Sequence, residues 1–184
     1  MGKQTGVYYV DSTALPVCHN LRINRHKVFD GFAARGKSST GWFFGLKLHL
    51  VFNDKNEIVA AKLSPGNHSD ISALPVLTKG LTGKLFGDKG YLGKKIAQEL
   101  LENGLALMTK VRRNMKSLPM HFMDKFLLNK RNIAESNIGL IKEFSSLNLS
   151  RNRSPINAMI HIIAALIAYQ LYIALSSNPF IHIG

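Results

Sequence analysis

Three acids set far apart in the chain are the residues best suited to chemistry. They are Asp11 in Val10-Asp11-Ser12-Thr13, Asp88 in Gly87-Asp88-Lys89-Gly90-Tyr91, and Glu135 in Ala134-Glu135-Ser136. Glu135 lies four residues after Arg131 and seven before Lys142, spacings that return an α-helix to nearly the same face. One carboxylate bracketed by two cations on a single stripe suits a metal ion beside a phosphodiester. Carboxylate oxygens are ligands for hard divalent cations, Mg2+ or Mn2+. Two such ions, about 3.5–4 Å apart, activate a nucleophile and stabilise the leaving oxygen of an in-line phosphoryl displacement. Gathered together without metal, the same carboxylates would repel one another.

The composition supports a polyanionic partner. The 184 residues carry 24 Lys and Arg against 11 Asp and Glu, a net charge of +13. Such an excess creates a field that draws nucleic acid. In residues 110–153 the basic side chains Lys110, Arg112, Arg113, Lys116, Lys125, Lys130, Arg131, Lys142, Arg151 and Arg153 face only Asp124, Glu135 and Glu143. Arg112, Arg113, Arg151 and Arg153 are expected to meet phosphates, giving salt-dependent affinity without reading sequence. A hydrophobic content of 46% with 19% charged residues excludes a disordered chain. Residues 5–176 read as a single domain with a real core. Cys18 is the only cysteine, which excludes an internal disulfide and a cysteine-based zinc site and fits a reducing cytoplasm. No signal peptide opens the chain.

The elements that must position the acids follow from the apolar pattern. Residues 7–10 predict a short strand delivering Asp11 at its end, and residues 19–41 a polar loop. Alternation through Phe44, Leu46, Leu48, Leu50 and Phe52 predicts a strand, and residues 53–56 a turn into a returning strand over 57–63. Ser69-Asp70 is placed to cap a helix to about residue 81, bent or delayed by Pro75. Residues 85–87 predict a buried strand leading into Asp88. A helix carrying Ile96, Leu100 and Leu101 on one face ends at Gly104, and residues 105–111 form a further strand. One long helix is expected over 125–144, and an apolar one from 155 to about 175. This order implies an α/β fold, a mixed sheet with helices on its faces. Ligands of such sheets gather at the carboxyl ends of strands.

Taken in order, these motifs resemble a bacterial insertion-sequence transposase of the DDE class, over about residues 8–169. The similar parts are Val10-Asp11-Ser12-Thr13, Gly-Asp-Lys-Gly-Tyr of 87–91, and the Arg131, Glu135, Lys142 series. Leu46-Lys47-Leu48-His49, Gly66-Asn67-His68-Ser69-Asp70 and the tail Leu149-Ser150-Arg151-Asn152-Arg153-Ser154 are similar too. The resemblance implies a ribonuclease H-like fold with a C-terminal apolar helix. It also implies Asp11, Asp88 and Glu135 as catalytic metal ligands for Mg2+ or Mn2+, as two ions, and DNA contacts from Arg131 and Lys142. The activity implied is cleavage at element ends, then attack of the freed 3′-hydroxyl on target DNA, by a homo-oligomer in the bacterial cytoplasm with no membrane association. Two departures stand out. Leu128 occupies a position where relatives often carry tyrosine, and only ten residues precede Asp11, where relatives usually have a helical DNA-recognition region.

Other readings compete. Asp70 reads as a helix cap, and His49 and His68 as structural histidines. Lys89 and Tyr91 either touch DNA or shape the turn around Asp88. At the level of function, the rivals are a nuclease of the same fold that cuts without joining, and a truncated remnant that only binds DNA. The apolar run 156–175 is long enough to raise a membrane span, but Asn157, His161 and Gln170 interrupt it, so a helix buried against the sheet is expected.

Overall fold

A computed structural model describes residues 1–39, 41–110, 119–147 and 152–176. The strands are β1 (Val7–Cys18), β2 (Ala34–Ser38), β3 (Gly41–Asn53), β4 (Ile58–Pro65), β5 (Gly83–Gly87) and β6 (Leu105–Thr109). The helices are α1 (Asp70–Leu77), α2 (Lys94–Glu102), α3 (Phe122–Asn129), α4 (Asn132–Ser145) and α5 (Pro155–Ser176). The strands form one mixed sheet in the order β2-β3-β1-β5-β6, with β4 also paired to β3. The pairs β1–β5 and β5–β6 are parallel, whereas β2–β3 is antiparallel. Contacts divide the chain into two compact units. The first comprises Met1–Ser12, His49–Lys62 and Ser69–Ser136; the second comprises Thr13–Leu48, Leu63–His68 and Asn137–Gly184.

In the first unit, Leu85 and Phe86 are consecutive and both 0% exposed, so both faces of β5 are covered. On one face Leu85 joins Tyr8, Val10, Leu74, Tyr91 and Leu100 in the core under α1 and α2. On the other, Phe86 meets the Tyr9 ring at 5.8 Å, and Lys84 Nζ holds Asp124 Oδ1 of α3 at 2.6 Å. Each fully buried Leu or Phe contributes about 1.5–3 kcal/mol, so this double covering fixes β5 firmly. Ser69 caps α1, its side chain accepting from the Ser72 N–H. Gly104 ends α2 with φ +81°.

Several elements differ from the sequence expectation. Strand β1 does not stop at Asp11 but runs on to Cys18. Ser12 and Ala14 lack strand propensity, and tertiary pairing overrides it. Gly45 of β3 comes so close that an added Cβ would sit 2.2 Å from the Leu15 carbonyl oxygen. Strand β2 lies within the expected loop; its Ala-Arg-Gly-Lys-Ser sequence extends because it pairs with residues 41–45 of β3. The single helix expected over 125–144 is two helices, broken at Lys130 and Arg131. Leu101 is 62% exposed, lying about 100° round α2 from the buried Leu100. In α5 only the stripe Ala158, Ile162, Ala165 and Tyr169 is buried. Ile156, Ile160, Ile163, Ile167 and Leu171 are each more than half exposed, so this helix is not enclosed as expected. By length and composition alone it is apolar enough to cross a membrane.

Candidate active site

The offset of 77 from Asp11 to Asp88 matches the sheet register. Strands β1 and β5 pair as Val7 with Lys84, Tyr8 with Leu85 and Tyr9 with Phe86, a constant offset of 77. Continuing that offset puts Asp11 level with Asp88, one residue beyond the end of β5. Neighbouring strands lie about 4.7–4.9 Å apart and alternate residues share a face. Both acids therefore fall on the Tyr9–Phe86 face, the one on which α3 docks through Lys84 and Asp124. Gly87 permits this approach, since a Cβ there would meet Val10 Cγ1 at 3.0 Å and Tyr91 Cδ2 at 3.1 Å. Asp88 begins a short 3-10 turn (Lys89–Tyr91) but its side chain makes no capping hydrogen bond, so the turn does not consume its carboxylate.

Glu135 arrives in the first turn of α4. It is close enough to Asp11 for its charge to raise the Asp11 pKa. Arg131, in the break before α4, is 9% exposed, and its Nη2 holds Glu135 Oε1 at 2.5 Å. Its Nε has no hydrogen-bond partner among the described residues. Burial pushes the Asp11 carboxyl up to about 6, opposed by the Ser12 N–H and Arg131 and reinforced by Glu135 and Asp70. Such a group is poorly accommodated as a free anion and well accommodated beside a cation.

Four neighbours that sequence reasoning set aside or left open complete the surroundings. The Ser12 N–H donates to Asp11 Oδ1 at 2.8 Å, while the Ser12 hydroxyl donates to Asp70 Oδ1 at 2.6 Å. His49, fully buried, has Nδ1 3.6 Å from the same Asp70 oxygen. Asp70 is thus not the cap of α1, a role Ser69 fills, but a fourth acid turned toward Asp11. The signal was present in Ser69-Asp70: of two capping residues in succession, only one can cap the helix. Gly90 lies beside it, with a Cβ there 3.5 Å from Asp70 Oδ2. Tyr91 is 2% exposed, and its hydroxyl makes no hydrogen bond of ordinary length to the described protein. Burial, together with Asp70, Asp11 and Asp88, raises its pKa far above the ordinary value, so it remains a donor.

The carboxylates of Asp11, Asp70, Asp88 and Glu135 offer oxygen donors of the type that fits a hard divalent cation. Among the described residues no three His, Cys, Asp or Glu side chains close on a common point. The acids border a site without forming a finished cage, and Asp88 and Glu135 are exposed at its edge. Lys142 lies further along α4, half-buried, with its pKa lowered by burial. Arg153 is exposed. Arg112, Arg113 and Arg151 lie outside the described residues.

Asp11 and Asp88 thus lie in register on adjacent parallel strands, and Glu135 at the start of α4 is near enough to act on Asp11. The family model of the transposase DDE domain matches residues 1–155. This chain belongs to that family. Its ribonuclease H-like mixed sheet, flanking helices and C-terminal apolar helix agree with the structural comparison. A cryo-EM structure of the piggyBac transposase synaptic complex with hairpin DNA matches over 95% of this chain and 48% of that chain, with TM-score 0.61 and 10% identity. A simian T-cell lymphotropic virus intasome bound to PP2A regulatory subunit B56 gamma matches over 98% of this chain and 51% of that chain, at 13% identity. The TM-score of that match is 0.46. The chain spans about half the length of both. No curated protein matches the sequence.

Proposed function

We propose that the chain is the catalytic core of an insertion-sequence transposase of bacterial type. It cleaves phosphodiesters at the ends of its element and joins the freed 3′-hydroxyl to target DNA. The observation that carries this reading is the common register of Asp11 and Asp88, with Glu135 acting electrostatically on Asp11 from α4. Asp11, Asp88 and Glu135 would hold Mg2+ or Mn2+, as two ions. Such ions supply activation of the attacking hydroxyl or water and stabilisation of the leaving oxygen. The Ser12 N–H orients Asp11, and Arg131 orients Glu135 from its buried position. Lys142, Arg153 and the arginines at 112, 113 and 151 neutralise DNA phosphates, and the protein works as a homo-oligomer in the cytoplasm.

The test is an assay with 3′-labelled element ends and circular target DNA in Mg2+ or Mn2+. Joined product is expected from the wild type and none from Asp11→Asn, Asp88→Asn or Glu135→Gln. Cleavage without any joined product would assign a nuclease instead. DNA binding with no cleavage under any metal condition would leave only a binding remnant.

A further inference from the structure

The second unit carries a charged surface that none of the three acids explains. Residues 13–48 contain six Lys or Arg and a single acid, Asp30. Arg22, Arg25, Lys27, Arg35 and Lys37 are all exposed. Arg35 and Lys37 alternate on one face of β2, and Trp42 of β3 pairs directly with Lys37, so the three side chains share that face. Arg35 Cζ lies 5.3 Å and Lys37 Nζ 5.7 Å from the centre of the Trp42 ring. The indole nevertheless stays 55% exposed.

The neighbouring 3-10 helix, Asn20–Arg25, is fastened to this hairpin. The Asn20 side-chain amide donates to the Trp42 carbonyl at 2.7 Å. His26 stacks on Phe29 at 5.6 Å and meets the edge of Phe44 at 6.3 Å. Arg22 and Arg25 are thereby held on the same structural piece as Trp42. An exposed large aromatic costs solvation, and here two cations, Arg35 and Lys37, lie over it, with Arg22 and Arg25 on the attached 3-10 helix. A second copy of this chain would bring the same positive charge against itself, which disfavours it as the occupant. A polyanion with flat apolar faces is favoured by both features at once. Nucleic-acid bases stack on exposed aromatics while Arg and Lys track the phosphates.

We propose that this hairpin and helix grip a stretch of DNA with unpaired bases, Trp42 stacking on one base and Arg22, Arg25, Arg35 and Lys37 holding the flanking phosphates. The choice of DNA rests on the proposed function, but the contact is independent of the three acids.

Trp42 is the chain's only tryptophan, so its fluorescence reports on this surface alone. Titrating the full chain with oligothymidylate is expected to quench it, with a midpoint that rises steeply with salt. Duplex DNA of equal length should quench less. In anisotropy with labelled oligonucleotide, Trp42→Ala should weaken binding about tenfold or more, while Trp42→Phe retains most of it. Replacing Arg22 and Arg25 by Ala should lower the salt slope by about two. Matching thermal melts establish that these variants fold. Asp11→Asn should quench like the wild type, so loss of catalysis and loss of this contact are separable. No quenching by oligothymidylate, with an intact melt, would overturn the proposal. So would equal quenching by anionic phosphatidylglycerol vesicles, which would make it a lipid surface. A Trp42 spectrum that changes with protein concentration alone would make it an interface between copies.

Discussion

Residues around Asp11 and residues 19–42 hold their charges in opposite ways. Near Asp11 the acids are coupled: Ser12 bridges Asp11 and Asp70 by hydrogen bonds of 2.8 and 2.6 Å, and Arg131 holds Glu135 at 2.5 Å. On the hairpin, the cations stand in solvent around an exposed indole. The first arrangement spends folding energy on an unfavourable accumulation of negative charge, which is useful only if something positive arrives. The second costs little, because each cation is hydrated. A preorganised site fails when one member is lost; a solvated patch weakens in steps.

That contrast is broken most directly at the acids. Asp88→Asn removes a carboxylate that no cap or turn requires, and the fold should survive. Metal-dependent cleavage should fall by on the order of a thousandfold or more. Single-turnover cleavage beside a thermal melt checks both halves. Cleavage within a few-fold of wild type would place the hairpin and the acid site on the same graded footing.

Asp70 and Ser12 sharpen the contrast at the next level. Neither is assigned to hold metal, and both act through the Asp11 carboxylate. Ser12→Ala and Asp70→Ala should each raise the Mn2+ concentration needed for half-maximal cleavage by about 10–100-fold, the usual cost of losing an orienting partner. The double variant should be little worse than Asp70→Ala alone, because both substitutions remove the same Ser12–Asp70 hydrogen bond. Asp70→Asn keeps an acceptor for the Ser12 hydroxyl and should recover part of the loss. Fully additive penalties would mean that the two residues act separately.

Much of this site was legible in the sequence because it follows backbone periods. The strand around Leu48 shows its alternation, Ser69 and Gly104 mark helix ends, and the spacing of Asp11 and Asp88 equals the β1–β5 offset. What stayed hidden depends on partners distant in sequence. β2 has no propensity of its own and becomes a strand only against residues 41–45. β1 continues past Asp11 because β3 lies alongside it. The break at Lys130 and Arg131 has no proline or glycine to announce it. The role of Asp70 was masked by a local explanation that Ser69 already satisfies. The outward apolar face of α5 was equally illegible, since periodicity cannot say whether an all-apolar helix is covered on one side or on all.

The raised Asp11 pKa gives a smaller effect, read in stability. Its ordinary value is 3.8 and its folded value about 6. Between those values the folded protein binds more protons than the unfolded chain, so stability falls as pH rises through this window. Below about pH 4 the penalty is absent, and above about pH 6 it is complete. Metal-free Asp11→Asn should therefore be more stable than wild type at neutral pH by about 1–3 kcal/mol, with the difference vanishing in acid. Denaturant unfolding of both proteins across that range measures it. Mn2+ should narrow the gap at neutral pH by stabilising only the wild type. A gap that grows toward low pH would reverse the assigned sign.

Lys142 gives the smallest effect and lies between the two kinds of charge. Its side chain is half-buried along α4, and desolvation lowers its pKa. A cation in this setting has lost part of its hydration, and no hydrogen bond to the described residues offsets it, so its removal should not destabilise the fold. Lys142→Met keeps an unbranched stem of similar reach and removes the charge. Its melt should match or slightly exceed that of the wild type, while DNA affinity at low salt drops a few-fold. The slope of log affinity against log salt should decrease by about one, the signature of one lost phosphate contact. An unchanged slope with weaker binding would show that Lys142 supports the shape of α4 and does not touch the backbone of DNA.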